Sequence, residues 1–128
     1  MYNELKQFGQ VKTNEPMAKH TTFKIGGPAD FLVIVKETEK LVSLLKFLDG
    51  EGVSYFILGG GSNMLVRDEG YRGVVIKVHS SEFLVHREES ILEIEAGCST
   101  VQMAQESIKA GLTCFEWCIG VPVTIGGA

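Results

Sequence analysis

The sequence predicts an α+β fold made of two small units, each a single helix laid on a few strands. Three observations carry that prediction. Short unbroken runs of β-branched and apolar residues have the pattern of buried strands. Two longer segments place their apolar residues at helical spacing, and capping and stop signals bound both of them. With 128 residues, 45% hydrophobic and 22% charged, the chain has enough apolar surface to bury a core and is too apolar for a disordered segment.

Residues 1–20 are expected to form a tail or an irregular helix, residues 21–80 the first unit and residues 81–128 the second. Phe31-Leu32-Val33-Ile34-Val35, entered from Gly26-Gly27-Pro28, reads as a buried strand leaving a turn. From Thr38 to about Asp49 the residues Leu41, Leu44, Leu45 and Leu48 line one helical face, with Thr38 placed to cap and Gly50 to stop it. Tyr55-Phe56-Ile57-Leu58 and Gly73-Val74-Val75-Ile76-Lys77-Val78 are two further strands, with Asp68-Glu69-Gly70 as a turn before the second. Glu82–His86 and Ile91–Glu95 form a hairpin pair through the polar segment Arg87-Glu88-Glu89-Ser90. In the second helix Ser99 and Gln102 have capping-box spacing, Val101, Ala104 and Ile108 share a face, and Gly111 marks the end. Cys114–Ile119 fits either a strand or a tight helical turn.

The formal net charge of -4 comes from scattered acidic residues. There is no basic stripe to neutralise a phosphate polymer, which disfavours nucleic acid as a partner. The N-terminal residues do not form a basic segment followed by an apolar leader core, and no apolar run is long enough for a bilayer, so a soluble cytoplasmic protein with no membrane partner is expected. Cys98, Cys114 and Cys118 are odd in number and read as reduced thiols, chiefly small core residues. His20, His79 and His86 lack the spacing of a metal site and read as surface or rim residues; no metal is expected. Trp117, beside Glu116, could face a ring system but reads first as core.

Gly59-Gly60-Gly61-Ser62-Asn63 lies between two strands. Three glycines allow positive φ and let backbone N–H groups converge on an anion, and Ser62 and Asn63 add side-chain donors. A P-loop needs Gly-Lys-Ser/Thr opening a helix, and a dinucleotide fingerprint needs spaced glycines between strand and helix; neither is present. A strain-relieving turn and an anion cradle both remain open at this point. A second segment, Gly120-Val121-Pro122-Val123-Thr124-Ile125-Gly126-Gly127-Ala128, offers small residues, a hydroxyl and backbone donors, and also fits a plain terminal loop.

Four segments taken in order resemble the UDP-N-acetylenolpyruvoylglucosamine reductase family: Thr21–Asp30, Ile57–Val66, Asp68–Ile76, and Gly120–Pro122 with Thr124–Ala128. That resemblance spans nearly everything from Thr21 onward. It implies an FAD-binding domain of the vanillyl-alcohol-oxidase/PCMH type, in which two small α/β subdomains enclose the cofactor. By it, Gly59, Gly60, Gly61, Ser62 and Asn63 hold the diphosphate of FAD, while Gly120, Val121, Pro122, Thr124, Gly126 and Gly127 line the cofactor from the second subdomain. It further implies non-covalent FAD, since the loop offers Ser62 where some relatives in the wider oxidase group attach flavin through His or Cys. NADPH would be the co-substrate, passing hydride through FAD to the enolpyruvyl double bond of a UDP-sugar in peptidoglycan synthesis.

This sequence departs from the family pattern at Val123, where Gly is usual. A β-branched residue there resists positive φ. The resemblance also implies that the second subdomain is truncated at Ala128, and that the substrate domain and the serine and glutamate of catalysis fall outside this chain, so that it has no catalytic residue of its own. A non-catalytic FAD- or nucleotide-binding module, or a fragment of an FAD-dependent oxidase, are the alternatives.

Overall fold

The structure is a computed structural model describing residues 1–80 and 82–128. Ser81, the first residue of the expected 81–128 unit, lies outside the described residues. The chain divides into two compact units, Met1–His79 and Ser80–Ala128.

The first unit holds a four-stranded sheet in the order β1-β2-β4-β3, formed by β1 (Gln10–Pro16), β2 (Pro28–Val35), β3 (Tyr55–Leu58) and β4 (Tyr71–Val78). β1 runs antiparallel to β2, with Val11 opposite Val33. β4 is parallel to both β2 and β3, with Ile76 opposite Val33 and Ile57. Because side chains alternate across a strand, the central strands feed two cores. Val33, Val35, Val74 and Ile76 face Leu44 and Leu48 of α2 (Thr38–Gly50), together with Leu5 and Phe8. Ala29, Leu32 and Val75 face the other way, onto Met17, Leu58 and Val66. That second core is roofed by irregular chain, and it is there that the glycine loop lies.

Residues 1–20, expected as a tail or irregular helix, carry α1 (Tyr2–Leu5), β1 and a 3-10 turn over Met17–His20. Leu5 and Met17 are fully buried. No apolar pattern marks this strand, because Gln10–Pro16 is a mostly polar edge strand, held by backbone pairing rather than by an apolar face. α2 is capped by Glu37, with Thr38 as its first helical residue instead of its cap. It stops at Gly52, two residues past the expected Gly50: Gly52 has φ +64, Val53 N–H donates to Leu48 O at 2.9 Å and Gly52 N–H to Asp49 O at 3.2 Å. Those two bonds make a Schellman stop, in which the left-handed residue must be the one after the cap.

In the second unit β5 (Phe83–His86) and β6 (Ile91–Ile94) form the expected hairpin, Phe83 opposite Ile94. α3 (Thr100–Lys109) begins with Ser99 Oγ accepting from Gln102 N–H at 3.0 Å, and ends on Gly111 at φ +77 with Leu112 N–H donating to Ser107 O. Its buried residues are Thr100, Met103, Ala104 and Ser107. The expected face of Val101, Ala104 and Ile108 is therefore rotated, and Ile108 is exposed. Polar residues can occupy the buried face because their hydroxyls are satisfied; Ser107 Oγ donates to Ala104 O at 2.8 Å. The ambiguous segment after Gly111 is a 3-10 turn over Glu116–Gly120. It buries Cys118 and leaves Trp117 69% exposed, contrary to the core reading, with the indole N–H donating to Cys114 O. All three cysteines are free thiols; Cys98 and Cys118 are core residues and Cys114 is exposed.

Candidate functional site

The glycine loop joins β3 to β4, two parallel neighbours, without the usual crossover helix. It is fixed by the segment that follows the 3-10 turn at Met17–His20. Gly61 sits at φ +71, and a Cβ there would overlap the carbonyl oxygen of His20. Thr22 N–H donates to Gly61 O at 3.0 Å, and further on Gly27 N–H donates to Arg67 O at 2.9 Å. The turn at Thr21–Ile25 closes on itself through Thr21 Oγ1 to Ile25 O and Lys24 N–H to Thr21 O. Gly61 is thus required twice over, by its left-handed backbone and by the close approach of another strand of backbone.

Among the described residues, the N–H groups of Gly60, Gly61, Ser62 and Asn63 donate to no carbonyl of the chain, and the side chains of Ser62 and Asn63 are exposed with no protein partner. The loop combines a pinned carbonyl side with unspent donors. Beyond it the chain lines a recess of about 210 Å³, chiefly apolar, with Met17, Phe56, Met64, Leu65 and Tyr71 in its wall and Arg67 as its charged member.

His20, expected as a surface or rim residue, is largely enclosed. Its Nε2 lies 3.0 Å from Glu15 Oε1, with side-chain exposures of 10% and 12%. Lys12 Nζ donates to the same oxygen at 3.1 Å, and Lys19 Nζ lies 3.9 Å from Oε2. The Glu15 carboxyl is held below its ordinary value, first by the His20 hydrogen bond, against the opposing effect of burial, and then by Lys12 and Lys19. A lowered carboxyl pKa means stability that is complete above the unfolded value and lost as pH falls through the folded one. Sequence spacing carried no sign of this pair, because its partners meet only when β1 and the 3-10 turn fold together.

The second loop is built differently. Thr100 Oγ1 donates to the carbonyls of Val121 and Val123. Val121 N–H donates to Cys118 O, Val123 N–H to Val121 O, Ile125 N–H to Cys98 O, Gly126 N–H to Ala96 O and Gly127 N–H to Thr124 O. The free donors expected across Gly120–Gly127 are therefore largely spent inside the unit. Val123 lies outside the residues with positive φ, which among non-glycines are Asn14, Lys24, Ser90 and Cys114, so its β-branched side chain fits the backbone it has. Val121 and Pro122 are exposed, while Thr124 Oγ1 is buried with no hydrogen-bond partner among the described residues. Such an orphaned hydroxyl is costly in a finished core.

Among the described residues no cluster of His, Cys, Asp and Glu is placed to hold a metal, and no helix is long and apolar enough to cross a membrane.

Residues 29–128 match the family model of the FAD binding domain. The chain is 42% identical over 125 residues to a UDP-N-acetylenolpyruvoylglucosamine reductase of Caldanaerobacter subterraneus subsp. tengcongensis, covering 98% of this chain and 41% of the relative. It is 40% identical over 123 residues to that of Bacillus subtilis, again covering 96% of this chain and 41% of the relative. The chain thus spans about two fifths of the length of the relatives it matches. Among solved structures, the UDP-N-acetylenolpyruvylglucosamine reductase (MurB) of Thermus caldophilus superposes with a TM-score of 0.69 at 31% identity, over 93% of this chain and 41% of that one. An alkyldihydroxyacetonephosphate synthase matches in fold, with a TM-score of 0.66 at 23% identity over 85% of this chain and 24% of that one. The α+β fold is shared with those two structures, and the chain belongs to the FAD-binding domain family.

Proposed function

We propose that this chain is the cofactor-holding part of a UDP-N-acetylenolpyruvoylglucosamine reductase, a cytoplasmic enzyme that uses NADPH to reduce the enolpyruvyl group of a UDP-sugar to the UDP-N-acetylmuramate of peptidoglycan synthesis. The family membership and the two reductase relatives support the assignment. The observation that carries it is the loop Gly59-Gly60-Gly61-Ser62-Asn63. Its backbone donors from Gly60 to Asn63 meet no carbonyl among the described residues, which fits the diphosphate of a dinucleotide, an anion that must be met by several N–H groups at once.

In this reading Gly59, Gly60 and Gly61 bring the backbone close to the phosphates, and Ser62 and Asn63 donate from their side chains. Thr124 would offer its unpaired hydroxyl to the cofactor, and Gly120, Val121, Pro122, Gly126 and Gly127 would shape the surface that lines it. The chain's own residues bind and orient, and none is assigned to moving a proton. FAD, when bound, supplies a ring that accepts and releases hydride. The absence of a Lys from the loop leaves neutral donors to do the binding, so affinity should depend little on salt compared with a lysine-lined phosphate site.

The test has two arms. The purified chain, reconstituted with FAD and freed of excess, should release FAD on denaturation, seen by flavin absorbance and fluorescence. A protein carrying these residues together with the rest of the length its relatives possess should oxidise NADPH when given the enolpyruvyl UDP-sugar. A longer protein that holds FAD yet leaves NADPH untouched with that substrate would remove the reductase assignment and keep only the FAD domain.

A further inference from the structure

The pair Glu15–His20 stands outside every role given so far, yet it lies directly behind the glycine loop. The His20 side chain is anchored on Glu15 in β1 at 3.0 Å, and the His20 carbonyl is the atom that a side chain at Gly61 would strike. Two residues on, Thr22 N–H bonds Gly61 O. We infer that Glu15 and His20 are positioning residues that lock the backbone of residues 20–22 against Gly61 and so preset the loop for the cofactor diphosphate, an inference that rests on the reading just proposed.

Three features support it. The pair is nearly closed to water, at 10% and 12% side-chain exposure, so its hydrogen bond competes weakly with solvent and is directional. Among the described residues, the ionisable groups that meet Glu15 are all partners: Lys12 on the same strand, and Lys19 and His20 from the 3-10 turn. And the contact is between backbones: Thr22 N–H meets the Gly61 carbonyl, so the loop is held through an acceptor and its own N–H groups are not used in the lock. A preset loop binds an anion without first paying to order itself.

The experiment compares the parent chain with Glu15→Gln, His20→Leu and His20→Gln. Without FAD, amide exchange of Thr22 reads the lock itself; with FAD, fluorescence titration reads affinity. His20→Leu is expected to raise Thr22 exchange and weaken FAD binding, each by about tenfold. Glu15→Gln should do the same to a lesser degree, because a neutral amide oxygen still accepts. His20→Gln, which can still donate to Glu15, should rescue both. Circular dichroism melting separates these effects from unfolding, since the Gln variant keeps the fold if the Leu variant loses it. The inference is overturned by Thr22 exchange unchanged in His20→Leu, or by His20→Gln failing as fully as His20→Leu. Exchange that responds as expected while the parent takes up no FAD would leave the lock standing and remove the cofactor assignment from the loop, which separates the two failures.

Discussion

The two glycine-bearing loops carry three glycines each and are opposite in what their backbones already do. In the Met1–His79 unit, the N–H groups of Gly60 to Asn63 have no carbonyl partner among the described residues, and the loop is held through its carbonyls and its glycine contacts. In the Ser80–Ala128 unit, Val121, Val123, Ile125, Gly126 and Gly127 have all given their N–H groups to carbonyls of the same unit. A loop of the first kind can receive an anion without breaking anything. A loop of the second kind can offer shape and side chains, and its backbone donors would have to be taken from existing bonds at about 1 kcal/mol or more apiece. Glycine content therefore says where backbone can come close, and only the hydrogen-bond pattern says whether its donors are available.

The largest effect should separate the loops at once. Gly61→Val places a β-branched side chain at φ +71 and into the His20 carbonyl, which should cost roughly 1–3 kcal/mol in strain alone and reduce FAD affinity by about a hundredfold or more. Gly120→Ala, whose new Cβ meets nothing within 4 Å, should leave stability within about 0.5 kcal/mol and FAD affinity within twofold, or about 0.4 kcal/mol. Urea denaturation and FAD titration of the two variants give both numbers. Equal losses would mean that the loops are not the distinct structures described.

A smaller effect sharpens the second loop. Thr100, 4% exposed, holds the carbonyls of Val121 and Val123 through one hydroxyl. Thr100→Val keeps the shape and takes the hydroxyl from the Val121 carbonyl, while Val123 O keeps the Thr100 backbone N–H at 3.0 Å, a loss of about 1–3 kcal/mol. Trp117 is the only tryptophan and lies in the turn that leads into this loop, so its fluorescence should report the lowered urea midpoint. Thr22 amide exchange, in the first unit, should stay at its parent rate; a change there would show that the loops are coupled.

What could be read before folding follows from which interactions are local. The helices at Thr38 and Thr100, the strands at Phe31, Tyr55 and Gly73, and the hairpin were visible because apolar period and capping are written within a dozen residues. β1 was not, since Gln10–Pro16 is stabilised by pairing with β2 and carries little apolar pattern of its own. The glycine loop's position between strands was legible; its close approach to His20 was not, because that contact joins residues about forty apart. The Glu15–His20 pair, only five residues apart, was hidden for another reason: its partners meet only when β1 and the 3-10 turn fold together. In the second loop, sequence showed glycines and a hydroxyl, and it could not show that Cys98 and Ala96 consume the N–H groups of Ile125 and Gly126. Trp117 was misplaced because an aromatic in an apolar run reads as core, whereas the 3-10 turn gives its buried position to Cys118.

A small gain in stability is the most informative change about the cofactor. Thr124 Oγ1 is buried and has no partner, so in the FAD-free chain it contributes a desolvation penalty and no compensating bond. Thr124→Val, nearly the same shape, should leave the unfolding midpoint unchanged or raise stability by up to about 1 kcal/mol. If the hydroxyl is reserved for FAD, the same substitution should weaken FAD binding by about tenfold. The two measurements then move in opposite directions, which no purely structural role for Thr124 can produce. A variant that is more stable and binds FAD as before would strip the second loop of its one side-chain donor and leave it a contribution of shape alone.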